Sequence, residues 1–235
     1  MPVNAYRPLA RGFARALRVS ESWLFARELI NQPAAIGAIW PSSSRLATRM
    51  AARVPRHRDG LVVELGAGTG AVTRALLRDG IAPRRLVVIE RSARFVRYLR
   101  SRFPGIRVMQ GDAARLAELL PPGHPIDAIV SSLPLRSMAP NVAAAIVAQW
   151  WMLLPVGGTV IQYTYDLRAR GLASLPGFME RASDIVWANL PPARVLALEC
   201  HCARPRRLNG TGAVGSGSAT VDRASSPPDS RRPQK

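Results

Sequence analysis

Three carboxylates close three successive apolar runs in this 235-residue chain. Glu64 follows Leu61-Val62-Val63 and opens the stretch Glu64-Leu65-Gly66-Ala67-Gly68-Thr69-Gly70. Glu90 follows Leu86-Val87-Val88-Ile89, and Asp112, within Gly111-Asp112-Ala113, follows Ile106-Arg107-Val108-Met109. Ionised carboxylates only accept hydrogen bonds, so a ligand shared by all three must bring donors. The glycines let the backbone approach such a ligand closely. Gly66-x-Gly68-x-x-Ala71 also fits a dinucleotide fingerprint, but Glu64 at the end of the first run would repel a pyrophosphate.

The donor pattern that fits is a nucleoside with an amino-acid tail. Glu64 can hold an ammonium directly or through water. Glu90, roughly twenty residues on, stands where a carboxylate accepts both ribose hydroxyls. Asp112 can accept from the exocyclic amine of adenine while capping the next helix. The expected cofactor is therefore S-adenosyl-L-methionine, with Glu64, Gly66, Gly68, Thr69, Gly70, Glu90, Asp112, Ala113 and Ser131 as its candidate binding residues. The alternative for Glu90 and Asp112 is that they are polar residues finishing buried strands.

A second set of chemical residues lies further along. Asp127-Ala128-Ile129-Val130-Ser131-Ser132-Leu133-Pro134-Leu135 is an apolar run ending in two hydroxyls, and Gln162-Tyr163-Thr164-Tyr165 ends the next run. Ser131 and Ser132 are candidates to orient an acceptor amine. Tyr163 and Tyr165, two apart and so on one face of a strand, are candidates for cation–π or hydrogen-bond contact with it. Core packing is the competing role for both tyrosines. Methyl transfer from a sulfonium to an amine asks mainly for positioning, desolvation and acceptance of a proton. No strong general base is evident, and His124 precedes its strand, at the wrong end for chemistry.

These residues need an alternating α/β scaffold. The apolar runs predict strands over 61–63, 86–89, 106–109, 126–130 and 158–163. Between them the spacing predicts helices over 71–77, 91–103, 113–120 and 142–154. Continuous apolar strands alternating with helices imply a mostly parallel sheet covered on both faces. Residues 185–187 and 194–198, flanking Leu190-Pro191-Pro192, read as two closing strands. The expectation is a Rossmann-like class I methyltransferase fold with a seven-stranded sheet. Residues 1–33 form a basic amphipathic segment and 34–202 the methyltransferase domain, entered by a connecting stretch over 34–59. Residues 203–235, rich in Gly, Ser, Pro and Arg, read as a disordered tail.

Several of these motifs resemble known enzymes. Through the third strand the chain resembles the ribosomal RNA adenine dimethylases. Those enzymes place an Asn or Asp and an aromatic ring in the loop after strand four, whereas Ser132 and Leu135 stand here, which disfavours a nucleobase acceptor. Ser-x-Leu-Pro-Leu after strand four, Gln162-Tyr163-Thr164-Tyr165, and Val186-Trp187-x-Asn189-Leu190-Pro191-Pro192-Ala193-Arg194-Val195 together resemble the bacterial phospholipid N-methyltransferase family. Asn31-x-Pro33 through Pro41-Ser42-Ser43 is similar to that family's lead-in to the glycine loop. The resemblance covers about residues 20–200. It implies methylation of phosphatidylethanolamine towards phosphatidylcholine, with ornithine lipid as an alternative acceptor.

The bulk charge supports a polyanionic partner. The formal net charge is +18, and Lys235 is the only lysine beside many arginines. On a helical wheel with Leu9 at zero, Tyr6, Leu9, Ala10, Phe13, Ala16 and Leu17 fall within roughly −20° to 100°. Arg7, Arg11, Arg15 and Arg18 fall within roughly 160° to 240°, nearly opposite. A basic helix with aromatics on its apolar face suits the plane of an anionic bilayer. Packing on the domain and an arginine-rich transit peptide are its alternatives. The expected partners are an anionic phospholipid membrane, contacted through Arg7, Leu9, Arg11, Phe13, Arg15, Leu17 and Arg18, and a lipid substrate; nucleic acid is disfavoured. No apolar run reaches the length of a spanning helix, about 18 residues, and a secretory signal is not expected. The expected location is the cytoplasm, peripherally on the inner face of the cytoplasmic membrane. Cys200-His201-Cys202 lacks further ligands nearby, so no metal is expected. An RNA or other nucleic-acid methyltransferase, a small-molecule methyltransferase that is only incidentally basic, and a non-enzymatic membrane-binding module that retained the cofactor fold are the competing functions.

Overall fold

A computed structural model describes residues 41–167, 175–189 and 191–201. The basic N-terminal segment, the C-terminal tail and Cys202 lie outside the described residues, and with them the predicted membrane-binding side chains from Arg7 to Arg18.

The element order is α1 (Pro41–Ala51), β1 (Leu61–Leu65), α2 (Ala71–Arg78), β2 (Leu86–Glu90), α3 (Ala93–Arg102), β3 (Arg107–Gln110), α4 (Leu116–Leu119), β4 (Ile126–Ser131), α5 (Pro140–Leu153), β5 (Thr159–Thr164), β6 (Phe178–Val186) and β7 (Ala193–Cys200). The seven strands form one sheet in the order β3-β2-β1-β4-β5-β7-β6. The first five are parallel; β7 runs antiparallel to β5 and β6 antiparallel to β7. This is the class I methyltransferase arrangement.

Burial explains why the central strands read as unbroken apolar runs. Every residue of β1, β2 and β4 is buried, as expected for parallel strands with helices on both faces. One face carries Leu65, Ile89, Ile129 and Val160 against Ala143, Ile146 and Trp150 of α5. The other carries Val62, Val88, Val130 and Ile161 against Met50 of α1, Leu76 of α2 and Leu99 of α3. Alternation along the strands sends Glu64 and Glu90 to this second face and Gln162 to the first. The chain order reverses between β1 and β4, and ligands of open α/β sheets bind at the carboxyl ends beside such a reversal.

Four predicted elements differ from the structure. The connecting stretch over 34–59 holds helix α1. Pro41 opens it, where a missing N–H costs nothing, and Leu46 and Met50 bury one face. The helix expected from residue 91 starts at Ala93, because Ser92 caps it by accepting from the Phe95 N–H at 3.5 Å. The helix expected over 113–120 is split into a 3-10 turn over Ala113–Arg115 and the short α4. Finally, β6 is nine residues long, and Trp187 lies in the turn after it. Its edge position and mixed burial hide the alternation that sequence patterning needs.

Candidate active site

The three predicted acids occur side by side along one rim. Leu65 of β1 pairs with Ile89 of β2, and Glu90 with Gln110 of β3, so Glu64, Glu90 and Asp112 lie at the carboxyl ends of adjacent strands. Each is held. Glu64 is fully buried, and its Oε2 accepts from the Thr73 hydroxyl on α2 at 2.7 Å. Glu90 accepts from the Gly68 N–H at 3.0 Å and from the Ser92 N–H at 2.8 Å. Asp112 accepts from the Ala114 N–H at 2.9 Å and caps the turn beginning at Ala113, as its sequence position predicts.

The glycine loop bridges the first two acids. Gly66, Gly68 and Gly70 all have positive φ, which side-chain-bearing residues rarely adopt. A Cβ on Gly70 would strike Phe103 at 2.6 Å, and one on Gly66 would strike Leu133 at 2.7 Å. A Cβ on Gly68 would meet nothing within 4 Å, so this glycine borders open space. Thr69 is exposed beside it.

One atom of this frame is left over. Oε1 of Glu64 is buried and finds no hydrogen-bond partner among the described residues. Burial pushes its carboxyl up to about 7, against the opposing effect of the Thr73 bonds. A buried acceptor without a donor carries a desolvation cost of about 1–3 kcal/mol. An ammonium bound against it would remove that cost and restore full ionisation.

The loop after β4 forms the other wall. Ser131 pairs with Leu65 on one side and Gln162 on the other, and its Oγ accepts from the Leu133 N–H at 3.3 Å. Ser132 donates its N–H to the Leu65 carbonyl at 2.9 Å, while its Oγ is buried and without a partner among the described residues. Leu133 covers Gly66, joining the two loops. Leu135 is 2% exposed and belongs to the core below, so it offers no surface on which a base could stack.

A relative from Singulisphaera acidiphila, an ornithine lipid N-methyltransferase, is 31% identical over 152 residues, which is 62% of this chain and 79% of the relative. The chain belongs to the S-adenosylmethionine-dependent lipid N-methyltransferase family. A family model described as a methyltransferase domain matches residues 62–158 of this methyltransferase, from β1 to the start of β5. The ribosomal RNA small subunit methyltransferase A of Agrobacterium fabrum is 33% identical over 115 residues, covering 46% of this chain and 38% of that one. Among solved structures, the fold matches the 1,6-didemethyltoxoflavin-N1-methyltransferase of Burkholderia thailandensis with TM-score 0.57, 14% identity and coverage of 79% and 92%. It also matches the N-methyltransferase NodS of Bradyrhizobium japonicum, in complex with S-adenosyl-L-homocysteine, with TM-score 0.55, 15% identity and coverage of 82% and 98%. S-adenosylmethionine is the cofactor of this methyltransferase, and the acceptor-only acids, the open face of Gly68 and the unpaired Glu64 Oε1 suit its ammonium, ribose and adenine amine.

Tyr163 of β5 and Tyr165 just after it pack on the sheet face that carries Val62, Val88 and Ile161. Tyr163 and Tyr165 meet edge to face with ring centroids 5.5 Å apart. The Tyr163 hydroxyl donates to that of Tyr165, which also receives the Asn189 amide. Burial raises both phenols above their ordinary range, so neither serves as a base near neutral pH.

Three residues of this site carried no role in the sequence reading. Thr73 is one helix turn past the glycines, where a hydroxyl gives no distinguishing signal. Asn189 is 5% exposed in the β6–β7 turn and donates to the Pro191 carbonyl at 2.6 Å. Gln162 is 1% exposed, and its Nε2 donates to the Leu133 carbonyl at 3.0 Å and the Tyr163 carbonyl at 2.8 Å. Two carbonyl partners fix which end is the nitrogen, leaving Oε1 buried and unpartnered. A lone amide within the buried run Val160-Ile161-Gln162 was the available signal.

Proposed function

We propose that the protein N-methylates the head-group amine of a phospholipid, phosphatidylethanolamine towards phosphatidylcholine, at an anionic membrane surface. One observation carries the reading. Ser132 Oγ of the loop after β4 and Gln162 Oε1 of β5 are buried acceptors without partners among the described residues, and that loop carries no ring on which a base could stack, since Leu135 is committed to the core. Such a site receives an aliphatic amine better than a flat base. The ornithine lipid N-methyltransferase relative supports the lipid class, and makes ornithine lipid the second acceptor to be tested.

In this proposal Glu64 Oε1 receives the cofactor's ammonium, Glu90 its ribose hydroxyls and Asp112 its adenine amine. Gly66, Gly68, Thr69, Gly70 and Ala113 shape the backbone around it. S-adenosylmethionine, when bound, supplies an activated methyl group, so the chain's task is placement. Ser132 and Gln162 accept the N–H groups of the head-group amine, which enters as the free base after its ammonium has given a proton to solvent, and aim its lone pair. Ser131 holds the loop through the Leu133 N–H, and Tyr163 and Tyr165 line the cationic product with ring faces. The predicted domain of residues 34–202 carries this site. The basic segment over 1–33, which includes Arg7, Arg11, Arg15 and Arg18 as well as Leu9, Phe13 and Leu17, holds it on the inner face of the cytoplasmic membrane. Each arginine near such a surface contributes about 1 kcal/mol. Among the described residues, no helix is long and apolar enough to cross a membrane.

The test offers purified protein and methyl-labelled S-adenosylmethionine three acceptors: phosphatidylethanolamine vesicles, ornithine-lipid vesicles and total RNA. Label is expected in lipid. Label in RNA with none in either lipid overturns the proposal.

A further inference from the structure

The β6–β7 turn sends one side chain into the site and another into solvent. Val186 pairs with Ala193, and Arg194 pairs with Thr164 at the end of β5, so this turn stands on the same rim as the acids and the acceptor loop. Asn189 secures it from within, through its bonds to Tyr165 and the Pro191 carbonyl, and the Asn189 N–H closes the turn on the Val186 carbonyl at 3.2 Å. Two residues before this anchor, Trp187 is 69% exposed, more than any other large apolar side chain among the described residues. Ala188 beside it is exposed as well.

A tied-down turn offering an indole to water gives up apolar burial without gaining chain freedom. Covering the ring in the working state would recover that burial. A protein partner would call for a contiguous apolar patch, whereas among the described residues of this turn Trp187 has the small Ala188 and the buried Val186 beside it. Indole, with an apolar body and one N–H, instead partitions into the head-group zone of bilayers. The electrostatics agree. Arg91 and Arg94, exposed just past the end of β2, are on this rim, and the chain carries a net charge of +18. A head-group amine that reaches Ser132 while its acyl chains stay in the bilayer brings the membrane to this rim.

We propose that Trp187 is a membrane-interface contact that seats the active-site rim on an anionic phospholipid bilayer, with the Asn189 turn holding the site tyrosines and the indole in fixed relation. This rests on the lipid-methylation reading, and the experiment separates the two. Full-length protein is bound to vesicles of phosphatidylethanolamine and phosphatidylglycerol, with and without brominated acyl chains that quench tryptophan. Substituting W187F is expected to remove a distinct part of the quenching. Substituting W187A is expected to raise the apparent KM for vesicle lipid by ~10-fold. Its rate on monomeric dihexanoyl phosphatidylethanolamine should stay within about two-fold, because the indole touches no reacting group. Unchanged quenching in W187F together with unchanged vesicle KM in W187A overturns the inference while leaving lipid methylation standing. Quenching lost in W187F, with no lipid methylated by the wild type, sustains the membrane contact and removes the substrate reading.

Discussion

The two halves of the active-site rim are built on different terms. On the β1–β2–β3 side each of the three acids is tied to the protein: Gly68 and Ser92 hold Glu90, Ala114 engages Asp112, and Thr73 takes one oxygen of Glu64. On the β4–β5 side the backbone is also bonded, yet Ser132 Oγ and Gln162 Oε1 are both buried and without partners among the described residues. In the proposed reading the first half is a receptor organised in advance for the cofactor, and the second is completed by its ligand, an amine with several donors that must be admitted, aimed and released. Glu64 Oε1 is the exception on the first side, and it marks the one point where that receptor awaits a charge.

The comparison breaks most visibly at Glu64. Replacing it by Gln keeps an acceptor for Thr73 but removes the negative charge, so cofactor affinity should fall by about a thousand-fold, within the 2–5 kcal/mol range for losing one member of a buried charge pair. Calorimetric titration with S-adenosylmethionine reads this, and circular dichroism should show the fold intact. Unchanged affinity would mean that the glycine loop binds something else.

The same carboxylate gives the empty protein a pH signature. Its folded pKa, raised by burial to about 7, stands above its ordinary value of 4.5. Its contribution to stability is therefore fully present below about pH 4.5 and lost as pH rises through 7. The change is about 3 kcal/mol at most, since each tenfold difference in proton affinity between folded and unfolded chain is worth about 1.4 kcal/mol. The melting temperature of cofactor-free wild type should decline from pH 5.5 to 8 relative to Glu64→Gln. S-adenosylmethionine should abolish that difference, because an ammonium against Glu64 favours the ionised form.

Crossing to the other half, Gln162→Leu should leave cofactor affinity within about two-fold and lower kcat/KM for the lipid by ~30-fold. That is about 2 kcal/mol, the scale of one lost buried hydrogen bond to the amine, while the Leu133 carbonyl keeps the Leu135 N–H at 2.9 Å. If cofactor affinity falls equally, the halves are one unit coupled through Leu133 and Gly66, and the distinction between them fails.

Legibility in the sequence follows the same divide. Each parallel strand is an unbroken apolar run, so the first acid after it is conspicuous, and sheet topology then places all three on one rim. Asp112 even announced its cap. What escaped detection depends on tertiary contact. Thr73 matters because α2 packs over β1, Asn189 because an antiparallel hairpin returns to β5, and Gln162 because the β4 loop presents it a carbonyl. Helix α1 is hidden for another reason: Pro41 and three serines read as part of a connecting stretch when the apolar spacing of Leu46 and Met50 behind them is short. The β6 strand, on an edge and half exposed, has no clean alternation to read.

The smallest expected effect asks which half the tyrosines serve. Tyr165→Phe keeps the ring and its edge contact with Tyr163 but removes the oxygen that receives both the Tyr163 hydroxyl and the Asn189 amide. If the pair lines the amine, the ring face persists while its aim loosens, and KM for the lipid should rise ~3-fold, about 0.7 kcal/mol, with cofactor affinity constant. If the pair is only packing, two buried donors lose their acceptor and the penalty appears in the melting temperature, with KM unmoved. Measuring both separates the cases, because a hydroxyl that positions a substrate and one that satisfies a core act on different states of the enzyme.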